Sequence, residues 1–158
     1  MHYHLAQCNI VKLRAPLDSP VVAGFVAALD PVNAIADAAP GFVWRLKTED
    51  GDATAIRAFD DDLILVNMSV WESIDALVAY TYDSGHREVL RHRRDWSEGI
   101  DRSHLVLWWV PVGTVPEVGD AVARLAQLDR DGPTLEAFTL RHRFDPPAPS
   151  AEAATRTG

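Results

Sequence analysis

The stretch 71–96 constrains this chain more than any other. Read as one helix, or as two helices in file, it sets Ile74, Leu77, Val78, Tyr82, His86, Val89, Arg93 and Trp96 along one stripe. That is the three-and-four spacing of a buried helical face. Two members are foreign to a plain core. An imidazole and a guanidinium among apolar and aromatic neighbours need partners, because burying either alone is costly. A carboxylate, a backbone carbonyl, a ligand or a cofactor would serve. The stripe therefore predicts a small-molecule pocket against a sheet.

The remaining sequence supplies that sheet. In the run 3–11, His4, Ala6, Cys8 and Ile10 share one face and Tyr3, Leu5, Gln7 and Asn9 the other. Neither face is cleanly polar, so both are expected to be covered. Asp18-Ser19-Pro20 starts a helix with Ser19 as cap. Asp30-Pro31 is expected to cap a fresh helical piece, and Pro40-Gly41 to stop it. A strand over 42–47 turns at Glu49-Asp50-Gly51 and extends as a hairpin over 53–59. The branched residues of 63–70 make the clearest strand. Helix follows over 72–95, broken or bent near Asp83-Ser84-Gly85 and closed by Gly99. A strand over 104–110 is apolar on both sides. A short helix from Pro116 then turns Val118, Val122, Leu125 and Leu128 inward, and 136–144 alternates as a last strand.

Strand, helix, strand, strand, helix, strand is the split βαβ order of ferredoxin-like domains, here with an extra C-terminal helix and strand. The expectation is an α+β protein with one domain over 1–144 and a disordered tail over 145–158. Apolar residues on both sides of 63–70 and 104–110 leave a sheet face for a second subunit to cover, most simply as a two-fold homodimer.

A net charge of −8 argues against a nucleic-acid partner. The one dense basic cluster, Arg91-His92-Arg93-Arg94, is short and helical and reads as a solvated or salt-bridged rim. A single cysteine, Cys8, excludes an intramolecular disulfide framework and suits a reducing compartment. No apolar core follows Met1, and no uninterrupted apolar run approaches membrane-spanning length. A cytoplasmic protein without a membrane partner is expected.

Four blocks are familiar together: Tyr3-His4-Leu5-Ala6-Gln7, Pro40-Gly41-Phe42-Val43-Trp44-Arg45-Leu46, Ser69-Val70-Trp71-Glu72-Ser73-Ile74-Asp75-Ala76-Leu77, and His86 followed by Arg91 to Trp96. Over about 3–144 the chain resembles a bacterial family named only as domain of unknown function 3291. The resemblance implies the dimeric α/β-barrel superfamily, in which two ferredoxin-like sheets close into a barrel. That superfamily includes cofactor-free quinol and polyketide monooxygenases, haem-degrading monooxygenases, and haem enzymes such as dye-decolourising peroxidases and aldoxime dehydratases. The family brings no assigned reaction, so the resemblance bears on fold before chemistry. One departure is Ser97, where the pattern leads one to expect an aromatic after Trp96.

The leading reading is a monooxygenase-like enzyme acting on an aromatic, quinol or polyketide-type substrate without a tightly bound cofactor. His86 would accept a proton, Arg93 would hold an enolate or carboxylate, and Tyr82 would join them. Trp44, Asn67, Trp96 and His104 would line the substrate pocket. Against it stands a plain alternative: His86 bonds a carbonyl, Arg93 pairs with a carboxylate, and the rings are core. A second reading makes His86 an axial haem ligand with Arg93 near the propionates, although no cysteine–histidine attachment motif is present. A third is a ligand-binding or structural dimer without catalysis. His2, His4 and Cys8 share a face that suits zinc or copper, with a structural role favoured. Asp60-Asp61-Asp62 reads as a turn rather than a calcium loop. Asn9, Asn33 and Asn67 either line the same pocket or tie strand ends.

Overall fold

β1 (Tyr3–Leu13) runs through the middle of an antiparallel sheet. On one side it pairs with β3 (Ile64–Trp71), and β2 (Phe42–Arg45) pairs outside β3. On the other side it pairs with the two-residue β4 (Ser97–Glu98) and with β5 (Leu105–Pro111). The path β2-β3-β1-β5, with helices after β1 and after β3, is the ferredoxin-like arrangement. This computed structural model describes residues 2–147 apart from Glu49, Asp50, Ala53, Ala55 and Asp101. The expected turn centre at Glu49-Asp50, and the tail from 148 onward, lie outside the described residues.

The first crossover begins at the 3-10 turn Pro20–Val22, where Ser19 accepts the Val21 N–H, and continues into α1 (Ala23–Ala38). The helix does not restart at Asp30-Pro31, as the sequence had led us to expect. Pro31 lies inside it. Proline deprives the Ala27 carbonyl of its partner, but Ala27 and Pro31 are both exposed, so that carbonyl stays open to solvent. Pro20–Ala38 is thus a 19-residue helical run of mean hydropathy 1.5, long and apolar enough to cross a membrane by length and composition alone. Asp30, Asn33 and Asp37 interrupt it. At Gly41 the chain turns with φ +82, and a Cβ there would stand 2.5 Å from that of Ala76, so conformation and space both require glycine.

The long stripe resolves into α2 (Ile74–Thr81), α3 (Ser84–Arg91) and α4 (Arg93–Trp96). Ser73 caps α2 by accepting from Ala76 N, and Asp83 caps α3 by accepting from Gly85 N. Each break resets the helical phase, and the single face expected for 71–96 does not survive. Tyr82 falls in the first break and is 69% exposed. Arg93 opens α4 and is exposed.

α5 (Val118–Asp131) buries Ala121, Leu125 and Leu128 and ends at Gly132, φ +73. The strand expected over 136–144 is absent. Only Phe138 bridges to the sheet, exchanging two 2.8 Å hydrogen bonds with Leu107. Ala137 packs with one sheet face and Phe138 with the other, so the chain crosses the β5 edge instead of following it. The hairpin extension over 53–59 likewise forms no strand among its described residues. Ile56, Ala58 and Phe59 pack against the core there.

Strand alternation divides the core. α5, together with Leu46, Ile56, Ala58 and Phe59, covers one face, formed by Ala6, Cys8, Ile10, Val66, Met68, Val70, Val106 and Trp108. Exposure of these side chains is 3% or less. Within the single chain this face is covered by its own residues. The opposite face meets α1 to α4 in two clusters: Leu5, Trp71, Leu107 and Phe138 with Ala36 and Leu77 at one end, and Leu13, Leu65 and Trp96 with Val22 at the other.

Candidate functional site

Between those two clusters the sheet turns polar. β1 and β3 face each other residue by residue, Gln7 opposite Ser69 and Asn9 opposite Asn67. All four side chains point toward the helices, because they share parity with Leu5, Leu13, Leu65 and Trp71. Asn67 is exposed and Asn9 half-buried, although both sit mid-strand in the two inner strands. Across from them α1 is equally bare. Val22 and Ala36 are buried at the ends of its inward stripe, while Leu29, Val32 and Asn33 between them are only half-buried. Close-packed interiors leave no such paired deficit. The incomplete burial of both implies a slot between the sheet centre and the middle of α1, with the Asn9 and Asn67 amides on the sheet side and an apolar, aromatic-rich cluster to either side.

One end is a connected row. Gln7 Nε2 donates to Ser69 Oγ at 2.7 Å and to Asn67 Oδ1 at 3.4 Å, and Trp71 Nε1 donates to the same Ser69 Oγ at 2.8 Å. The Trp71 ring stacks on Tyr80 with centroids 4.9 Å apart, and Tyr80 meets His86 at 4.8 Å. Phe42 meets Trp71 edge-on at 5.6 Å. Burial pushes the Tyr80 phenol up to about 12, with the Asp83 carboxylate adding to the shift. Burial also holds His86 below its usual value, against the opposing pull of the Thr81 carbonyl and Asp83. Its Nδ1 lies 3.2 Å from Thr81 O, so the neutral ring carries its proton on Nδ1 and keeps a lone pair on Nε2. The other end of the slot is closed by Trp96, its ring 6.2 Å from Phe25.

The expected site residues therefore separate. Asn67, His86 and Trp96 belong to this side of the sheet. Trp44 packs with the opposite face. His104 precedes β5 with an exposed side chain, contributing only its carbonyl to Ile10 N at 2.9 Å. Tyr82 and Arg93 are at the surface, so the guanidinium cannot hold an anion in the slot. The sequence reading missed Gln7, Ser69, Trp71 and Tyr80. A signal was available: Asn67, Ser69 and Trp71 alternate along one strand face.

Two other clefts are already matched within themselves. One of about 490 Å³ lies on the far side of the sheet, where Lys12 pairs with Asp61 at 3.2 Å and Arg102 rests on Phe59 at 4.5 Å. A second of about 420 Å³ lies between α1 and α3–α4, where His92 stands 3.3 Å from both Glu88 and Asp95. Among the described residues no group of three or more His, Cys, Asp or Glu is placed to hold a metal ion. Cys8 is wholly buried with its thiol pushed up to about 12, the reverse of a metal-binding thiolate. Asp61 accepts from Leu63 N at 2.9 Å, as a turn residue does. Haem would find a suitable nitrogen in His86 Nε2, but the open floor nearby is amide and hydroxyl, not the apolar slot a porphyrin needs. The residues do not fit it.

Residues 4–155 match the family described as domain of unknown function DUF3291. None of the curated proteins matches the chain. Among solved structures, a candidate antibiotic biosynthesis monooxygenase from Nitrosomonas europaea is similar with TM-score 0.50 and 12% identity, covering 72% of this chain and 95% of that one. Protein SO0527 from Shewanella oneidensis gives TM-score 0.50 at 8% identity, covering 70% and 93%. SnoaB, a cofactor-independent oxygenase from Streptomyces nogalater, gives 0.47 at 21% identity, covering 72% and 98%. With nearly its whole length matched, the chain belongs to the DUF3291 family, and it shares a ferredoxin-like fold with the Nitrosomonas and Shewanella structures.

Proposed function

We propose that this protein is a monooxygenase-like enzyme that oxidises an aromatic, quinol or polyketide-type substrate in the slot without a tightly bound cofactor. The observation that carries the reading is the half-open polar strip at the sheet centre, Asn9 and Asn67 flanked by aromatic clusters. A polar strip of this kind between aromatic clusters offers ring contacts at its ends and hydrogen bonds at its centre, which suits small oxygenated ring compounds. The fold is shared with the Nitrosomonas candidate monooxygenase, which fits the same reading.

The substrate would supply the electrons. Its ring lies between the aromatic ends, and an ionisable oxygen meets the amide floor. The His86 ring, kept neutral by burial, is the base at the slot end. Loss of a proton gives an electron-rich carbanion or phenolate that reduces dioxygen. One oxygen atom ends as a new carbonyl on the substrate. The other leaves as water with the two hydrogens of the oxidised methylene.

Oxygen uptake tests this directly. Purified protein is expected to consume dioxygen with hydroxylated anthrones faster than the uncatalysed reaction, showing no Soret band as isolated. Asn67→Ala should lower kcat/KM by about a hundredfold, the usual effect of removing one donor to a developing oxyanion. Because Asn67 is exposed, its unfolding midpoint should barely change. No uptake above background across a panel of anthrones and quinols would dismiss the reading.

A further inference from the structure

We infer that Gln7 and Ser69 are positioning residues that hold the Asn67 amide with its NH2 group toward the slot. The floor thereby becomes a donor surface selective for an anionic oxygen. The inference rests on reading the slot as a ligand site and on the Gln7 amide, whose Nε2 faces both Ser69 and Asn67. Trp71 Nε1 can only donate, and it donates to Ser69 Oγ at 2.8 Å. Gln7 Nε2 donates to the same oxygen at 2.7 Å. Both Ser69 lone pairs are then occupied, and its hydroxyl hydrogen must seek an acceptor elsewhere. The second Gln7 N–H reaches Asn67 Oδ1 at 3.4 Å. With Oδ1 turned to Gln7, Asn67 Nδ2 faces away from it.

Burial decides which residue directs which. Gln7 and Ser69 are each 7% exposed, whereas Asn67 is exposed. A solvent-facing asparagine alone would present oxygen as readily as nitrogen. The buried glutamine removes that choice. No charged side chain takes part in this row of contacts, so any charge at the floor is the ligand's own. Hydrogen bonds to a charged acceptor are roughly twice as strong as neutral ones. A phenolate, enolate or peroxide oxygen is therefore preferred over a ligand that presents an amine.

Gln7→Glu reverses the polarity at constant length, because a carboxylate only accepts. Asn67 must then turn its NH2 group inward and Ser69 must donate. Nitrogen-15 NMR of the ligand-free protein reads this. Asn67 side-chain amide protons should exchange rapidly with water in the wild type. In Gln7→Glu they should be slowed and shifted downfield. Amide protons already protected in the wild type, or unchanged in the variant, would overturn the inference. Gln7→Leu, which neither donates nor accepts, should give intermediate behaviour and covers the case of a poorly folding glutamate variant.

A second measurement uses 2-hydroxy-1,4-naphthoquinone, whose colour reports its ionisation. The wild type should bind the anion and lower its apparent pKa. Gln7→Glu should bind at least about tenfold more weakly, the scale of one charged hydrogen bond. Equal affinity and ionisation in all three proteins would also overturn the inference. A wild type with the expected amide pattern that ignores the probe supports the amide orientation and sinks the slot as an aromatic-ligand site.

Discussion

His86 illustrates how far a single residue can be read. Its place among aromatic neighbours was legible from spacing, and so was its need for a partner. The partner proves to be the Thr81 carbonyl, five residues back across the α2–α3 break. That geometry came from the Asp83 cap, not from the helical stripe. Burial lowers the His86 pKa, so an unfolded chain takes up this proton before the folded one does as pH falls. The associated stability is present above the ordinary value of 6.5 and is lost as pH drops through it toward the folded value. His86→Gln should therefore lose less stability than the wild type between about pH 7 and 5, measured as the change in urea midpoint. An identical pH dependence would mean that His86 titrates as if exposed. Arg93 teaches the opposite lesson: its period matched the stripe, but a helix break a few residues earlier moved it to water.

At the level of elements, turns mattered more than periodicity. Gly41 joins α1 to β2 in a conformation and a space closed to other residues. Gly41→Ala should destabilise the protein by at least about 2 kcal/mol, combining left-handed strain with a clash on Ala76. Denaturant titration would show it, and a change within error would mean that α2 can shift freely. Pro31 was read as a boundary because proline usually ends helices. On an exposed helix face the carbonyl it leaves unpaired stays open to solvent, so the local rule gave way. The alternation of 136–144 is genuine, but pairing requires an edge to run along, and this segment passes over one.

The whole molecule settles where its apolar surface goes. Both sheet faces are covered within one chain, the first by helices and the second by α5 with Leu46, Ile56, Ala58 and Phe59. Leu125→Ala, at a site 4% exposed, should cost about 2–4 kcal/mol of folding stability and leave the sedimentation coefficient unchanged. If a second copy rather than α5 were the true cover, the variant would alter association instead. The slot exists at the same scale. It is inferred from α1 burying Val22 and Ala36 near its ends while Leu29, Val32 and Asn33 between them stay half-buried.

The order of the four main strands and the two helical crossovers, the cap at Ser19, and the two-sided burial of the central strands were set by the sequence, since propensity, turn chemistry and alternation are local properties. Tertiary structure alone decided which side chains meet. Gln7 and Ser69 are sixty-two positions apart and touch only because β1 and β3 pair in one register. A shift of that register by a single residue would send the amides to the opposite face, and the partner that fixes it is distant in sequence.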